Sequence, residues 1–220
     1  MLGIKNLFWT VALMFIKNIL FKDTVLEVEW PEHFPCGAFI LVSNCDHAWT
    51  PTILVHILHR KRRTKTHFFT RSFLFRSLIS RLFLNLMEQI PVEPGNRTLN
   101  EKAFGKAKKY LKKNEAVGIF PFPFDTIKIS PLFFPYKIIK RKNTIYPGVI
   151  RLLQENPVPL VPMHVHVYQN RVSKSFLDKN FKKVKITVGM PIKNAYFNKH
   201  INKEEKKQMA RKLMDKIYGL

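Results

Sequence analysis

The sequence predicts an α/β fold in which a mostly parallel β-sheet is flanked by helices. Short apolar runs typical of buried strands alternate along the 220 residues with amphipathic stretches typical of helices. The chain has no internal repeats and no low-complexity linkers, so one domain with a small appendage is expected. One apolar run ends in a polar elbow that opens a helix, which is where α/β proteins usually place their chemistry.

The predicted strands are apolar runs bounded by turns. Residues 25–30 alternate apolar and acidic side chains, which is typical of an edge strand. Residues 37–42 form a continuous apolar run, which predicts a buried central strand. The remaining strands are predicted over residues 66–70, 88–92, 116–120, 158–167 and 184–188.

The predicted helices follow from apolar periodicity and from helix-start signals. The first, residues 52–59, begins after Pro51, a residue that suits the first position of a helix. In residues 73–87 the polar side chains occupy about half of the helix circumference. Further helices are predicted over residues 100–113, from Pro147 to residue 155, and over residues 204–218.

The N-terminal residues predict a helix that lies in a membrane interface. Residues 2–21 are apolar, but the run between Lys5 and Lys17 has only eleven residues, whereas a bilayer span takes about 20. No small-residue cleavage site follows, so we expect no signal peptide. Trp9 and the lysines suit an interface; the alternative is a helix packed on the protein's own core. We therefore predict an interfacial helix over residues 1–23 and an α/β domain over residues 24–220.

The charge balance predicts a polyanionic partner. Lys and Arg number 38 against 15 acidic residues, which gives a net charge of +23. The codon bias of an AT-rich genome is an alternative source of part of this excess. No nucleic-acid-binding motif is present, so we predict an anionic phospholipid membrane as the partner and no nucleic acid. The basic segment 60–65 is expected to contact lipid phosphates. The predicted location is peripheral or monotopic, on the cytoplasmic face of the membrane.

The elbow after the central strand holds a thiol, a carboxylate and an imidazole in succession. These are Cys45, Asp46 and His47. An imidazole can act as a general base, and a neighbouring carboxylate can fix its tautomer. The only other cysteine is Cys36, so no disulfide framework is expected, which suggests a reducing compartment.

Five segments in a fixed order resemble the motifs of the glycerolipid acyltransferases, the lysophosphatidic acid acyltransferase superfamily. They are Val42-Ser43-Asn44 with Pro51, Ile90-Pro91-Val92, Gly118-Ile119-Phe120-Pro121, Pro147-Gly148-Val149-Ile150 and Val158-Pro159-Leu160-Val161-Pro162-Met163, followed by a closing Val188-Gly189-Met190-Pro191-Ile192. The resemblance covers roughly residues 25–215. It implies that an acyl chain passes from acyl-CoA or acyl-carrier-protein to a lysophospholipid, with the donor as a co-substrate and no cofactor.

The resemblance also shows where this chain departs from the family pattern. The family's first motif has a general-base His and, five positions on, an Asp that orients it; here Cys45 and Thr50 stand at those positions. Pro94 stands where the second motif has a phosphate-binding Arg. The third motif, Phe-Pro-Glu-Gly-Thr-Arg in the family, is Phe-Pro-Phe-Pro-Phe-Asp at residues 120–125.

Three interpretations of the elbow therefore stay open. His47 serves as a displaced base with Asp46; or Cys45 is a nucleophile activated by His47 and forms an acyl-enzyme; or the site is catalytically inactive and the fold binds lipid or a partner. The catalytic candidates are His47, Asp46 and Cys45. The substrate-binding candidates are Asn44, Arg97, Phe122, Phe124 and Lys128.

A metal site is not predicted. His164 and His166 alternate on one strand and so share a face. Because no third ligand follows at a recognisable spacing, we interpret them as hydrogen-bonded histidines at the end of the sheet.

Overall fold

The structure is a computed structural model, and it describes residues 9–11, 13–14, 18, 24–45, 50–62, 64–121, 147–169, 181–193 and 201–220. Strands β1 to β7 comprise Val25–Glu29, Ile40–Ser43, Thr66–Arg71, Ile90–Val92, Ala116–Ile119, Leu160–Gln169 and Phe181–Val188. Helices α1 to α5 comprise Thr50–Arg62, Leu78–Leu86, Arg97–Lys112, Gly148–Glu155 and Lys203–Tyr218. A 3₁₀ turn, Ser72–Phe75, precedes α2.

The seven strands form one sheet in the order β1-β7-β6-β2-β5-β3-β4. All neighbours are parallel except β6 and β7, which are antiparallel. The predicted mostly parallel sheet flanked by helices is therefore confirmed. The predicted edge strand is β1, and the predicted central strand is β2, the fourth of the seven.

Several boundaries differ from the prediction by a few residues, and two of the differences have a local explanation. The helix expected over residues 73–87 is divided into the 3₁₀ turn and α2, because Ser77 has an extended backbone and the Ser80 hydroxyl donates to the carbonyls of Leu74 and Ser77. The basic segment 60–65 begins inside α1, which continues to Arg62. Basic side chains at a helix C-terminus are favoured by the helix dipole.

Alternate residues of the central strand supply two separate cores, one on each face of the sheet. Phe39 and Leu41 belong to the cluster on the α1 face, whereas Ile40 and Val42 belong to the cluster on the opposite face. The second cluster also takes buried side chains from α3, α4 and α5. Burial on both faces explains why three successive residues of this strand, Ile40, Leu41 and Val42, are all apolar.

The N-terminal residues that the structure describes are helical and pack on the α1 face. Trp9 is 1% exposed; its ring stacks on His59 at 6.2 Å and meets His67 edge-on at 6.0 Å. The expectation that Trp9 anchors the chain in a membrane interface is therefore wrong. Val11 and Met14 are exposed, and the interfacial helix over residues 1–23 stays a prediction. Within the described part of the chain, no helix combines the length and apolarity that crossing a bilayer requires.

A polar cluster is buried at the amino-terminal ends of β3 and β5. His67 is fully buried, with Nδ1 3.1 Å from the Glu88 carbonyl and Nε2 3.1 Å from the Glu115 carboxylate. Both partners are acceptors, so both hydrogen bonds form only when the ring carries two protons. Tyr110 stacks on the ring with a centroid distance of 3.7 Å. The cluster ties β3, β5 and α3 together at the edge of the sheet opposite the elbow.

We expect Gly118→Ala to lower the free energy of unfolding by about 1–3 kcal/mol, because a β-carbon at this position would overlap the ring of Phe68. Urea unfolding measures the change. Gly105→Ala in α3 is the matched control: nothing lies within 4 Å of its β-carbon position, so it should gain roughly 0.5–1 kcal/mol from helix propensity. Equal effects of the two substitutions would contradict this packing analysis.

We also expect Glu115→Gln to destabilise the protein at neutral pH and to have little effect in acid. Burial opposes ionisation of Glu115, but the hydrogen bond to His67 and the charges of His67, Lys65 and Lys113 outweigh it, so the pKa of Glu115 lies below its usual value. The stabilisation is therefore complete above the unfolded pKa of about 4.3 and is lost as pH falls through the lower folded pKa. Urea unfolding of the parent and of Glu115→Gln across this pH range measures the difference in the free energy of unfolding, with the exposed Glu32→Gln as control. A difference that does not change with pH would show that the pairing of Glu115 with His67 is unimportant.

Candidate active site

The candidate site lies at the carboxyl ends of the central strands. The connection after β2 leads through α1 to β3 on one side of the sheet, while the connection after β5 leads to β6 on the other side. The crevice outside the carboxyl ends of β2 and β5 is thus a topological switch point, the usual ligand position in open α/β sheets. The elbow that follows β2 and the Phe120–Pro121 pair that follows β5 begin at this crevice.

Asn44 fixes the end of β2 against β6. Its Oδ1 accepts from the Val165 amide at 2.8 Å, and its Nδ2 donates to the Val165 carbonyl at 2.9 Å. Ser43 Oγ donates to the same Oδ1 at 3.2 Å. The side-chain amide thereby continues the β2–β6 pairing beyond Met163, where the backbone ladder ends. Asn44 is fully buried, so the structure shows a positioning role, and its substrate-binding role stays a prediction.

The residues on either side of the elbow have different surroundings. Cys45 follows Asn44, is half-buried and is not in a disulfide. Thr50 begins α1 and is 1% exposed. A buried neutral hydroxyl therefore occupies the position that the resemblance assigns to an orienting carboxylate. Asp46 and His47 lie outside the described residues, and their catalytic roles stay predictions.

Arg97 is the first residue of α3 and follows a turn that is fixed by hydrogen bonds. Asn100 bonds both backbone groups of Glu93, at 3.0 Å and 2.8 Å, and Gly95 supplies the positive φ of 83° that the turn needs. The Asn96 side chain accepts from the Leu99 amide and caps the helix. Arg97 is exposed at this carboxyl-end edge, which is compatible with the predicted contact to a substrate phosphate.

Sequence reasoning missed a second basic residue at this edge. Arg71 ends β3, and its Cα pairs with that of Val92 at the end of β4. The signal was present in the sequence, since Arg71 directly follows a predicted strand. Its side chain is half-buried, so it is held closer to the sheet than the exposed Arg97.

Aromatic rings line the end of β5. Phe120 stacks on Phe68, with centroids 5.0 Å apart and planes 9° apart. Gly118 leaves the space that the Phe68 ring occupies. Phe122, Phe124 and Lys128, the other predicted substrate contacts, lie outside the described residues.

His164 and His166 lie on the same face of β6, as their alternation predicts. Their ring centroids are 6.3 Å apart, and Tyr218 and Tyr168 contact one ring each. Among the residues that the structure describes, no three His, Cys, Asp or Glu side chains are grouped as a metal site would require.

Comparisons with known proteins identify the fold and a family. A family model described as Acyltransferase matches residues 25–166. The chain is also similar to the crystal structure of the 1-acyl-sn-glycerophosphate (LPA) acyltransferase PlsC from Thermotoga maritima, with a TM-score of 0.53 and 15% identity. That similarity covers 96% of this chain and 76% of PlsC, and at this identity it supports the fold. No curated protein sequence matches significantly.

We expect Asn44→Ala to lower the free energy of unfolding by about 2–4 kcal/mol, because the buried amide and carbonyl of Val165 would both lose a partner. Ser43→Ala, which removes only the hydroxyl bond to Asn44, is the matched control and should cost about 1 kcal/mol. Urea unfolding measures both. Equal losses in the two variants would show that the Asn44 amide is not a clamp between β2 and β6.

Proposed function

This chain belongs to the acyltransferase family, and from that premise we propose that it transfers an acyl chain to a lysophospholipid-type acceptor at a membrane surface. The donor would be a thioester, acyl-CoA or acyl-carrier-protein. The observation that supports the proposal most strongly is the elbow at the carboxyl end of the central strand, held by Asn44 at the switch point of the sheet.

The chemistry requires a base near the acceptor hydroxyl. The base removes the hydroxyl proton as the oxygen attacks the thioester carbonyl, and the tetrahedral intermediate then expels the donor thiolate, which takes up a proton. We assign the base to His47 and the orienting carboxylate to Asp46, because Thr50 is neutral and buried where the family pattern has an Asp.

A covalent route through Cys45 is the alternative mechanism. Its thiolate would attack the donor's thioester carbonyl, form an acyl-enzyme and release the donor thiolate, which takes up a proton. The acceptor hydroxyl would then lose its proton to a base and attack the acyl-enzyme, which breaks the bond to Cys45 and restores its thiolate. The half-buried side chain lies two residues beyond the end of β2, which is compatible with such a role.

The acceptor's phosphate group needs a cationic partner at the same edge of the sheet. We propose Arg97 for this contact, with Arg71 as a second candidate, since both lie at the carboxyl-end edge. Lys128 remains a predicted contact. Phe122 and Phe124 are proposed to face the acyl chain, next to the Phe120–Phe68 stack.

A second candidate function is a non-catalytic protein that binds lipid or a partner at the membrane. The specific observation in its favour is that a half-buried thiol and a buried hydroxyl, Cys45 and Thr50, replace the family's His and Asp. Only the first of the two functions predicts turnover in an acyl-transfer assay. Vesicle binding without acyl transfer from any donor to any lysophospholipid would support the second.

We expect His47→Ala to reduce kcat for acyl transfer at least 100-fold with KM nearly unchanged, because a general base contributes about 10²–10⁴-fold. The assay combines labelled acyl-CoA or acyl-carrier-protein with a panel of lysophospholipids. Cys45→Ser is the comparison variant and should retain activity. If activity is lost in Cys45→Ser but not in His47→Ala, and an acyl-enzyme can be trapped in the parent, the catalytic role belongs to the Cys45 thiol.

We expect Arg97→Ala to raise KM for the lysophospholipid about tenfold or more, since a charge-assisted hydrogen bond is worth about 1.5–3 kcal/mol. The KM for a lipid acceptor without a phosphate should not change. Arg71→Ala tested in parallel identifies which guanidinium contributes. A KM unaffected by either substitution would exclude both from phosphate binding.

A further inference from the structure

Helix α2 exposes an apolar face to solvent. Leu78 is 71% exposed and Leu82 61%, and Phe83 and Leu86 are exposed as well. Leu78, Leu82 and Leu86 are spaced four residues apart, so they form a row along one side of the helix. Among the positions whose side chains the structure describes, Ser80 and the following Met87 are buried and Leu84 is half-buried.

The other helices with assigned burial show the opposite arrangement. The apolar side chains of α4 and α5 are buried: Val149, Ile150, Leu152 and Leu153 in α4, and Ala210, Leu213, Met214 and Ile217 in α5. Helix α2 differs because it connects β3 to β4, the last strand at its edge of the sheet, and packs chiefly against the preceding 3₁₀ turn. A contiguous exposed apolar surface of this kind marks an interaction site.

The charged residues within α2 and in the segment that leads into it are positive. Arg76 and Arg81 are exposed beside the leucine row. The sequence has no Asp or Glu from residue 50 to residue 87. An exposed apolar helix face bordered by arginines is complementary to an anionic lipid bilayer, in which the leucines enter the acyl boundary and the arginines meet the phosphates.

A second copy of this chain is a less suitable occupant. A stable protein–protein interface buries about 800 Å² and about 20–30 residues on each side. The exposed face of α2 offers four apolar side chains among its described residues, the three leucines of the row and Phe83. Pairing two copies would also bring Arg76 and Arg81 close to their own counterparts, which costs free energy.

We propose that α2 is the helix through which this protein docks on anionic phospholipid membranes. The N-terminal end of α2 follows the carboxyl end of β3 by way of the 3₁₀ turn, so docking through Leu78 and Leu82 places the carboxyl-end edge of the sheet beside the bilayer. The biological reason for this orientation rests on the proposed acyl transfer, because a lysophospholipid acceptor resides in the bilayer. The docking itself is testable without any turnover.

Vesicle co-sedimentation tests the apolar part of the surface. The double variant Leu78→Ser and Leu82→Ser should bind vesicles of equal parts phosphatidylcholine and phosphatidylglycerol at least tenfold more weakly than the parent. The matched control is Val25→Thr with Met190→Ser, which changes residues of similar exposure at the β1 side of the sheet; it should bind as the parent does. Leu82→Phe should retain binding. Circular dichroism spectra and thermal midpoints verify that all variants are folded.

The lipid charge tests the basic part of the surface. Arg76→Gln with Arg81→Gln should weaken binding to the anionic vesicles about tenfold or more, since each basic side chain near such a surface contributes roughly fivefold. Binding to phosphatidylcholine alone should be weak for the parent and unchanged in this variant. Added salt should reduce the difference between parent and variant.

Several results would overturn the inference. If the leucine variant binds vesicles as the parent does, α2 is excluded as the docking helix. If vesicle binding is lost in Val11→Ser with Met14→Ser instead, docking is assigned to the N-terminal residues. If the parent is a dimer that does not bind vesicles, and the leucine variant is a monomer, the occupant of the surface is a second copy of this chain. Acyl transfer with detergent-dispersed substrates is measured separately, so failure of the docking and failure of the proposed reaction give different results.

Discussion

The pair of hydrogen bonds between the Asn44 side chain and the Val165 backbone is the constraint on which the candidate site depends. Strand β2 has only four residues, and its ladder with β6 ends at Ser43 and Met163. The amide of Asn44 acts like one more peptide group and extends that ladder. The end of β2 is therefore fixed at Asn44, and the proposed roles of Cys45 and His47 depend on that fixed point.

The residues that support the fold differ in kind from those that would perform the reaction. Asn44 bonds to backbone, and Gly118 makes room for an aromatic ring. Both match the family pattern, as does the Pro147–Gly148 start of α4. The charged and acid–base positions of the pattern are the ones replaced, by Cys45 and Thr50 in the first motif. The positions of the pattern that shape the backbone are thus retained in this chain, whereas its general-base position is not.

The distribution of apolar surface sets α2 apart from the rest of the structure. Because the strands between the edges are covered on both faces, their side chains meet those of α1 in one core and those of α3, α4 and α5 in the other. Helix α2 lies beyond that region, beside the edge strand β4, and keeps its leucines in solvent. An amphiphilic acceptor and an exposed apolar helix would share the same bilayer, which connects the proposed reaction to the proposed docking surface.

The sequence by itself determined the fold class, the order of the elements and the central position of β2, because apolar runs and helical periodicity are local signals of burial. It also located the elbow. It could not determine that Trp9 packs in the core, that α2 faces outward or that Asn44 is bonded to Val165. Those facts depend on which segments are neighbours in space: an apolar face has the same periodicity whether a sheet or a lipid covers it, and the partners Asn44 and Val165 are 121 residues apart. Only the tertiary structure decides them.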